Sequence, residues 1–295
     1  MEKTYELMPN AKMLLSSLRS VGYTEETAIA DIVDNSISSG ANTIQLYFDW
    51  DDQTILIADN GKGMQKKELL DSMKIGSSDP GITRSASDLG RFGMGMKTAS
   101  FSLGKQLLVI TKQKDEINNA EWNLEYVENE DKWEILIHSD EKIDTYIKSK
   151  TDKIEFQNWD EGTLISLSML DKLIDENNMQ KSKVKFYKTV EKVKKHLAMI
   201  FHRFIEEDNL QIYVNKNLLE AWNPFIRQNP ATMELACEEL FDGKTIVSIE
   251  PYILPHKTKF EDEEAFKKAG GAKDWLTHQG FYVYRNRRLI VYGTW

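Results

Sequence analysis

Apolar and polar positions recur with two different periods along this chain, and the changes of period mark its predicted elements. Apolar side chains three to four positions apart over 28–41 and 184–206 predict amphipathic helices. Alternation over 43–50 and 54–59, joined by AspAspGln, predicts a β-hairpin. The polar stretch 140–153 predicts a short helix or an insertion. Further strands are predicted over residues 106–113, 120–127, 131–138, 162–170, 210–214, 245–254 and 280–292.

This order of elements predicts an α/β sandwich in two parts. We expect a mixed, largely antiparallel sheet with helices on one face. The polar stretch 171–183 is typical of a connection between domains. We therefore predict one domain over residues 1–175 and a second α/β domain over 176–295.

The first predicted helix carries a carboxylate and a carboxamide four positions apart. Asp31 and Asn35 therefore lie on one face, one turn from each other. Such a pair suits a base that activates water beside an oxygen ligand for Mg²⁺. Asp34 is a secondary candidate for the base, because it points to a different part of the helix. Taken alone, the pattern also fits an ordinary amphipathic helix with solvated polar residues.

A second carboxylate stands where a predicted strand ends. Asp59 closes the strand 54–59, and AsnGlyLysGly then forces a turn. A carboxylate in this position can accept a hydrogen bond from an exocyclic amine such as that of adenine. Gly61 and Gly63 let the backbone approach a flat base without a Cβ in the way. An ordinary turn from strand to loop would show the same residues.

The third segment is rich in glycine and leads into a helix predicted over 96–103. Backbone N–H groups at the start of a helix carry partial positive charge and bind phosphates. Lys97, in the first turn, adds a point charge to them. A dinucleotide-binding glycine motif would follow the first strand and open the first helix. Here the glycines follow a helix, a hairpin and a long polar loop, so that alternative fails on order.

Four segments in this order resemble the GHKL superfamily, which includes gyrase B, the ninety-kilodalton heat-shock chaperone, sensor histidine kinases and MutL. Within it, the chain is most similar to MORC proteins and their prokaryotic relatives. DIVDNSISSGA resembles the N-box, IADNGKGM the adenine-binding motif, and LGRFGMGMKTASFSLG the end of a MORC-type lid. The Gly162–Thr163 pair of EGTLISLSML resembles a later strand motif whose Thr helps to hold adenine.

The resemblance implies a Bergerat-type module that binds ATP and Mg²⁺. It assigns the general base to Asp31 and the metal ligand to Asn35. The family usually has Glu at the base position, and Asp is one methylene shorter, so we expect slow hydrolysis with ATP binding preserved. The residues expected to contact the nucleotide are Asn35, Asp59, Gly61, Gly63, Met64, Ser77, Gly90, Arg91, Phe92, Gly93, Met94, Gly95, Met96, Lys97 and Thr163.

The resemblance also implies partners. It predicts a lid over 74–95 that orders over ATP and an N-terminal arm over 1–20 that docks across a second subunit. It further implies a DNA-directed role in repair, chromatin or restriction and defence. A nucleotide-gated binding module with little turnover is the alternative. A histidine kinase is disfavoured, because only 27 residues precede Ala28 and none of them is His.

The end of the chain resembles the transducer domain that follows the ATP module in gyrase B, MutL and MORC. VNKNLLEAWNPF and YRNRRLIVY are similar to its strand–turn–strand signatures. The family continues with a strand that delivers a lysine to the γ-phosphate, and no segment after Tyr292 supplies it. We therefore expect a piece of a longer protein, largely monomeric by itself.

Composition adds limits on location and partners. The single cysteine, Cys237, suits a reducing compartment, and the absence of a long apolar run predicts no membrane span. We expect a cytoplasmic protein, or a nuclear one in a eukaryote. A net charge of −9 argues against a broad nucleic-acid-binding face. The lysine-rich stretch 181–203 is the best local candidate for DNA contact, but its pattern favours an amphipathic helix with a solvated lysine face.

Overall fold

The computed structural model describes residues 5, 9–20, 22–76, 95–241, 243, 245–271, 275 and 278–294. The helices are α1 (Ala11–Arg19), α2 (Glu25–Ser38), α3 (Lys66–Met73), α4 (Gly95–Leu103), α5 (Leu124–Glu130), α6 (Asp140–Lys148), α7 (Met179–Ile200), α8 (His202–Glu207) and α9 (Glu263–Ala269). The main strands are β1 (Thr43–Asp49), β2 (Thr54–Asp59), β3 (Gln106–Gln113), β4 (Glu116–Asn123), β5 (Gly162–Ser168), β6 (Gln211–Val214) and β7 (Asn217–Leu218).

Within the described residues, these strands form one sheet in the order β4-β3-β5-β2-β1-β6-β7. Its neighbours are antiparallel, except that β1 and β6 run parallel. The predicted mixed, largely antiparallel α/β sheet is confirmed. Its register pairs Asp59 with Thr163 and Thr111 with the same Thr163, so these three side chains share one face of the sheet.

Helices cover both faces of this sheet. The face that carries Asp59 packs against α2, because the Ser36 hydroxyl donates to the Asp59 carboxylate. The opposite face packs against α6, whose Ile143 and Ile147 are buried. These two lie four positions apart on one side of an otherwise polar helix, and burying such a side chain contributes about 1.5–3 kcal/mol. The polar stretch 140–153 therefore forms the second cover of the sheet, which the sequence did not predict.

Local signals explain where the first site helix begins. Thr24 and Thr27 form a reciprocal capping box at the start of α2. Glu25 and Glu26 follow in the first turn, where negative charge is favourable. The helix therefore begins three residues before Ala28, and its register holds through the candidate site residues.

Several predicted strands differ in the structure. Strand β4 ends at Asn123, because the Asn123 side chain caps α5 instead of continuing the strand. The predicted strand over 131–138 is wrong, since its only pairing among the described residues is the Glu121–Leu136 bridge. The predicted strands 245–254 and 280–292 are each divided in two. The resulting strands are β10 (Ile246–Ile249), β11 (Tyr252–Ile253), β12 (Phe281–Arg285) and β13 (Arg288–Thr294), and β8 (Met233–Glu234) and β9 (Glu238–Phe241) precede them.

The chain separates into two compact units. The first comprises Met1–Leu197 with Glu207–Leu219, and the second comprises Ala198–Glu206 with Glu220–Trp295. The predicted domains 1–175 and 176–295 stay a prediction. In the second unit, Phe225 stacks on Tyr252 with ring centroids 4.3 Å apart. No helix among the described residues has the length and apolar character that a membrane crossing requires.

Candidate active site

Helix α2 presents the predicted base and metal ligand one turn apart. Asn35 is exposed, and its Nδ2 donates to the Asp31 backbone carbonyl at 2.9 Å. Because this bond uses the amide donor, the carboxamide oxygen is directed away from the helix backbone. Asp31 is half-buried, and its Oδ2 accepts a hydrogen bond from the Tyr23 hydroxyl at 2.6 Å. The carboxylate is thereby held in a defined orientation.

Tyr23 is a site residue that sequence reasoning missed. It lies eight positions before Asp31 and precedes the Thr24 cap, so no helical spacing connects the two. A phenol that donates to a carboxylate fixes the rotamer of that carboxylate. The tertiary structure alone shows this contact.

Asp59 is buried at the end of β2, with 4% of its surface exposed. Its Oδ2 accepts from the Ser36 hydroxyl at 2.8 Å, and its Oδ1 accepts from the Gly61 N–H at 2.9 Å. Burial raises the pKa of Asp59, although these hydrogen bonds act in the opposite direction. Each carboxylate oxygen can accept a second bond, so a ligand amine can still be bound.

The two glycines that follow Asp59 are required by packing within the protein. A Cβ on Gly61 would lie 1.9 Å from the Ser39 hydroxyl of the segment after α2. Gly63 has a positive φ of 62°, and a Cβ there would lie 1.9 Å from the Lys112 carbonyl oxygen of β3. The turn therefore packs against the segment after α2 on one side and against β3 on the other. This packing fixes the position of Asp59.

Thr111 links the turn to the neighbouring strands and was also missed from the sequence. Its buried hydroxyl accepts from the Met64 N–H at 2.8 Å and donates to the Gly162 carbonyl at 3.1 Å. It also lies 3.4 Å from the Thr163 hydroxyl. The predicted residues Met64 and Thr163 are thus brought together through a residue in the middle of an unremarkable strand.

Helix α4 begins beside the Asp31 carboxylate. An ideal Cβ on Gly95 would lie 3.8 Å from Asp31 Oδ2, so the first turn of this helix lies close to the predicted base. Met96 is half-buried next to it. The other predicted lid residues (Ser77, Gly90, Arg91, Phe92, Gly93 and Met94) lie outside the described residues, as do positions 77–94 of the predicted lid.

Lys97 is buried in the first turn of α4, with 2% of its surface exposed. Its ammonium donates to the Ser72 carbonyl of α3 at 2.6 Å. Burial lowers the pKa of Lys97 from its ordinary 10.5 to about 8. A phosphate nearby would stabilise the charged form, so this lysine suits an anion that arrives with the nucleotide.

Replacing Lys97 with Met should remove a pH dependence of stability. Between about pH 8 and 10.5 the unfolded chain keeps a proton that the folded chain has lost, so the parent becomes more stable as pH rises through this window. The gain is at most about 3 kcal/mol, because one pKa unit corresponds to about 1.4 kcal/mol. Urea unfolding at pH 7.5 and 10 measures it.

The matched control for this experiment is Lys74→Met, because Lys74 is an exposed lysine at the end of α3 that pairs with Asp71. The control should keep the rise in stability, whereas Lys97→Met should lose it. A rise of equal size in parent and Lys97→Met would contradict the assigned burial of the charge.

The chain matches one protein family and several relatives in the region of this site. Residues 23–160 match the family described as histidine kinase-, DNA gyrase B- and HSP90-like ATPase. This segment contains α2, the turn after Asp59 and α4, which together form the candidate site. The matched family and the observed fold therefore both point to ATPases of this type. The predicted resemblance to GHKL ATPases is thus confirmed for residues 23–160.

Among individual proteins, the chain is similar to MORC ATPases. It is 33% identical to ATPase morc-1 of Caenorhabditis elegans over 121 residues, which are 39% of this chain and 14% of that protein. It is 28% identical to MORC family CW-type zinc finger protein 3 of Mus musculus over 109 residues, 35% of this chain and 11% of that protein. With human ATPase MORC2 the identity is 25% over 119 residues, 38% and 11% of the two chains.

These matches span about a seventh or less of each relative's length. The predicted MORC-like resemblance is confirmed for the ATPase region. What the relatives do as whole proteins enters only as a proposal.

Proposed function

We propose that this chain binds ATP with Mg²⁺ and hydrolyses it. The observation that carries the proposal is the buried Asp59 carboxylate, held by Ser36 and Gly61 at the edge of α2. The same helix carries Asp31 and Asn35, and the start of α4 lies beside Asp31. A base-recognising carboxylate, a metal ligand and a phosphate-binding helix start therefore share one side of the sheet. The family match and the relatives named as ATPases support the assignment.

Each end of the nucleotide has a defined environment in this proposal. Asp59 accepts a hydrogen bond from the adenine amine, and Thr163, its neighbour across β2 and β5, contributes through a water. The N–H groups at Gly95 and Met96 receive phosphate oxygens. The Lys97 ammonium, which donates to the Ser72 carbonyl, adds positive charge.

Asp31 orients the attacking water and accepts its proton. Its carboxylate is fixed by Tyr23, which compensates in part for the shorter side chain because the position of the acceptor is restricted. The second candidate is a nucleotide-gated module with little turnover, which the Asp in place of the family's Glu favours. Measuring the ATPase rate per molecule against protein concentration, with a reaction that lacks the protein as the blank, decides between them. A rate equal to that of the blank at every concentration would exclude the enzyme.

Replacing Asn35 with Ala should abolish the effect of Mg²⁺ on nucleotide binding. Magnesium takes oxygen ligands in an octahedron, and in this site the carboxamide oxygen is joined by triphosphate oxygens and waters. The parent should bind a non-hydrolysable ATP analogue at least about tenfold more tightly with Mg²⁺ than with EDTA. Calorimetry under both conditions measures the ratio, which should approach one in Asn35→Ala.

The control for the metal experiment is Asn42→Ala, an exchange of the same type outside the proposed metal site. Asn42 contacts Asn60 at the β1 end of the sheet and should keep the Mg²⁺ effect. If EDTA leaves the parent's affinity unchanged, Asn35 has no metal role.

We further propose that nucleotide binding closes a lid over 74–95 and promotes a homodimer. In the described structure, α1 of the predicted arm packs against its own chain, where Arg19 donates to the Phe101 carbonyl of α4. Helix α4 therefore joins the proposed phosphate site to the arm. Light scattering with a non-hydrolysable analogue tests dimerisation, and protease sensitivity of the lid tests closure. We expect a weak dimer and increased protection, and unchanged cleavage on adding nucleotide would refute gating.

We propose DNA as the partner of the parent protein, in a repair, chromatin-like or restriction and defence setting. The resemblance to MORC and MutL proteins supports this role, as does the lysine-rich helix α7. We place the protein in the cytoplasm, or in the nucleus of a eukaryote, because its single cysteine suits a reducing compartment.

A further inference from the structure

Helix α7 carries a local excess of positive charge in an acidic chain. It contains seven lysines and one glutamate, whereas the whole chain has a net charge of −9. Six of these lysines are exposed, and five of the six recur at alternating spacings of four and three, which places these five along one side of the helix. We call these five the lysine row: Lys181, Lys185, Lys188, Lys192 and Lys195.

A pocket of about 460 Å³ lies beside the lysine row, between α7 and residues 171–175. Four residues of the row line it, and Lys172 adds a further lysine. Three carboxylates line it as well: Glu25, Asp171 and Asp175. The pocket walls thus hold five positive and three negative side chains.

The acidic residues of this pocket already have partners, whereas several lysines lack them. Glu25 lies 3.6 Å from the Lys185 ammonium, and Asp171 lies 2.5 Å from the Arg19 guanidinium. Within the part of the chain that the structure describes, Lys181, Lys188 and Lys192 have no carboxylate within 4.0 Å. The positive charge of the row is therefore available to an anion from outside.

We infer that the lysine row binds the phosphate backbone of duplex DNA. The row extends for about 21 Å, because 14 residues of helix rise by 1.5 Å each. Duplex DNA presents one negative charge per about 1.7 Å of its axis, so several phosphates can lie along the row together. The inference deepens the proposed DNA role by giving it a surface, and the ATP site does not depend on it.

The structure favours DNA over an anionic membrane. An amphipathic helix that binds a membrane inserts its apolar face between the lipids. The apolar face of α7 is already used within the protein, because Phe186, Val193 and Leu197 are fully buried. Phe186 packs edge-on against Phe48 and Trp50 of the sheet region. The apolar side chains that α7 still exposes are Met179, Val184 and Tyr187, whereas its continuous apolar face is covered and its lysine row is open.

Lys188→Gln/Lys192→Gln tests the row, and Lys183→Gln/Lys194→Gln is its matched control on the opposite flank of the same helix. Both double variants remove two positive charges. The control residues already have partners in the protein, since Lys183 lies over Trp50 and Lys194 pairs with Glu191. Binding of a fluorescent 20-base-pair duplex is measured by anisotropy over a range of KCl concentrations.

In the parent, binding should weaken steeply with salt. Each lost phosphate contact lowers the slope of log affinity against log salt by about 0.9, so Lys188→Gln/Lys192→Gln should lower it by about 1.8 and weaken binding by about tenfold or more at low salt. The control should keep the parent's slope. An equal loss in both variants, no binding by the parent, or binding to phosphatidylserine vesicles in place of DNA would overturn the inference.

A separate readout distinguishes this inference from the proposed nucleotide function. Affinity for ATP, measured by calorimetry, should be the same in the parent and in both double variants. If the parent binds DNA through the row but binds no ATP, the proposed function fails and the inference stands. If ATP binds and the row variants bind DNA like the parent, the inference fails alone.

Discussion

Asp31→Asn should lower the rate of ATP hydrolysis by about 10²–10⁴-fold, because that is the usual contribution of a general base. Asparagine keeps the shape of the side chain and its contact with Tyr23, but it cannot accept a proton from water. Affinity for ATP should stay near the parent value, because Asp31 faces the reacting end of the nucleotide. Steady-state kinetics with calorimetry of a non-hydrolysable analogue separate these two effects.

Two further variants sharpen the assignment of the base. Asp31→Glu restores the reach that is usual in the family, and it should raise the turnover rate. Tyr23→Phe removes the hydroxyl that lies 2.6 Å from Asp31 Oδ2, and it should lower kcat with little change in KM, since Tyr23 acts by positioning the base. If Asp31→Asn hydrolyses ATP at the parent rate, the base lies elsewhere, and Asp34, which is buried on the same helix, is the next residue to test.

Asp59→Asn should weaken ATP binding by about 5- to 150-fold. The variant leaves the adenine amine or a protein donor without an acceptor, and an unpaired buried polar group costs about 1–3 kcal/mol. For the same reason GTP should bind poorly to the parent, since its exocyclic oxygen cannot donate to the carboxylate. Equal affinities for ATP and GTP by calorimetry would refute the role of Asp59.

The control for this prediction is Asp71→Asn, which removes an exposed carboxylate that pairs with Lys74 on α3. It should bind ATP as the parent does. Thermal unfolding without nucleotide shows whether Asp59→Asn has kept its fold, because the new amide faces the Ser36 hydroxyl or the Gly61 N–H.

The raised pKa of Asp59 adds a pH dependence with a defined sign. Because the folded protein favours the protonated carboxyl, the contribution of Asp59 to stability is greatest at low pH and is lost as pH rises through the raised value. ATP binding needs the ionised form as acceptor, so affinity should fall on acidification in the parent and change less in Asp59→Asn. Calorimetry at successive pH values measures this difference.

Short-range residue patterns are enough to predict the main elements around the candidate site. Apolar spacing in α2, the turn residues between β1 and β2, and the glycines before α4 each act over a few neighbouring positions. The helix register that brings Asp31 and Asn35 to one face follows from 3.6 residues per turn alone. The end of β2 likewise places Asp59 before its turn. These residues can be identified from the sequence because the patterns that mark them extend over only a few adjacent positions.

Residues far apart in the sequence complete the candidate site, and only the folded structure brings them together. Tyr23 reaches Asp31 from before the helix cap, and Thr111 binds Met64 across 47 positions of sequence. Neither contact has a characteristic spacing, because each depends on how strands and helices pack. The sequence explained Gly63 by the approach of a flat base, whereas in the structure the close approach of the β3 backbone requires a glycine there. A pattern of residue types cannot show which chain segment will lie there.

Packing also decided features that the sequence left ambiguous. Helix α6, in the polar stretch 140–153, packs on one face of the sheet, because Ile143 and Ile147 are enough to bury one side of a short helix. Lys97 lies buried against Ser72, and the pKa of its ammonium is lowered by that burial, which no spacing predicts. Local sequence thus predicts the elements and the candidate site residues on them. Burial shifts the pKa values of Asp59 and Lys97, and a long-range contact orients Asp31, because both effects depend on what surrounds a side chain.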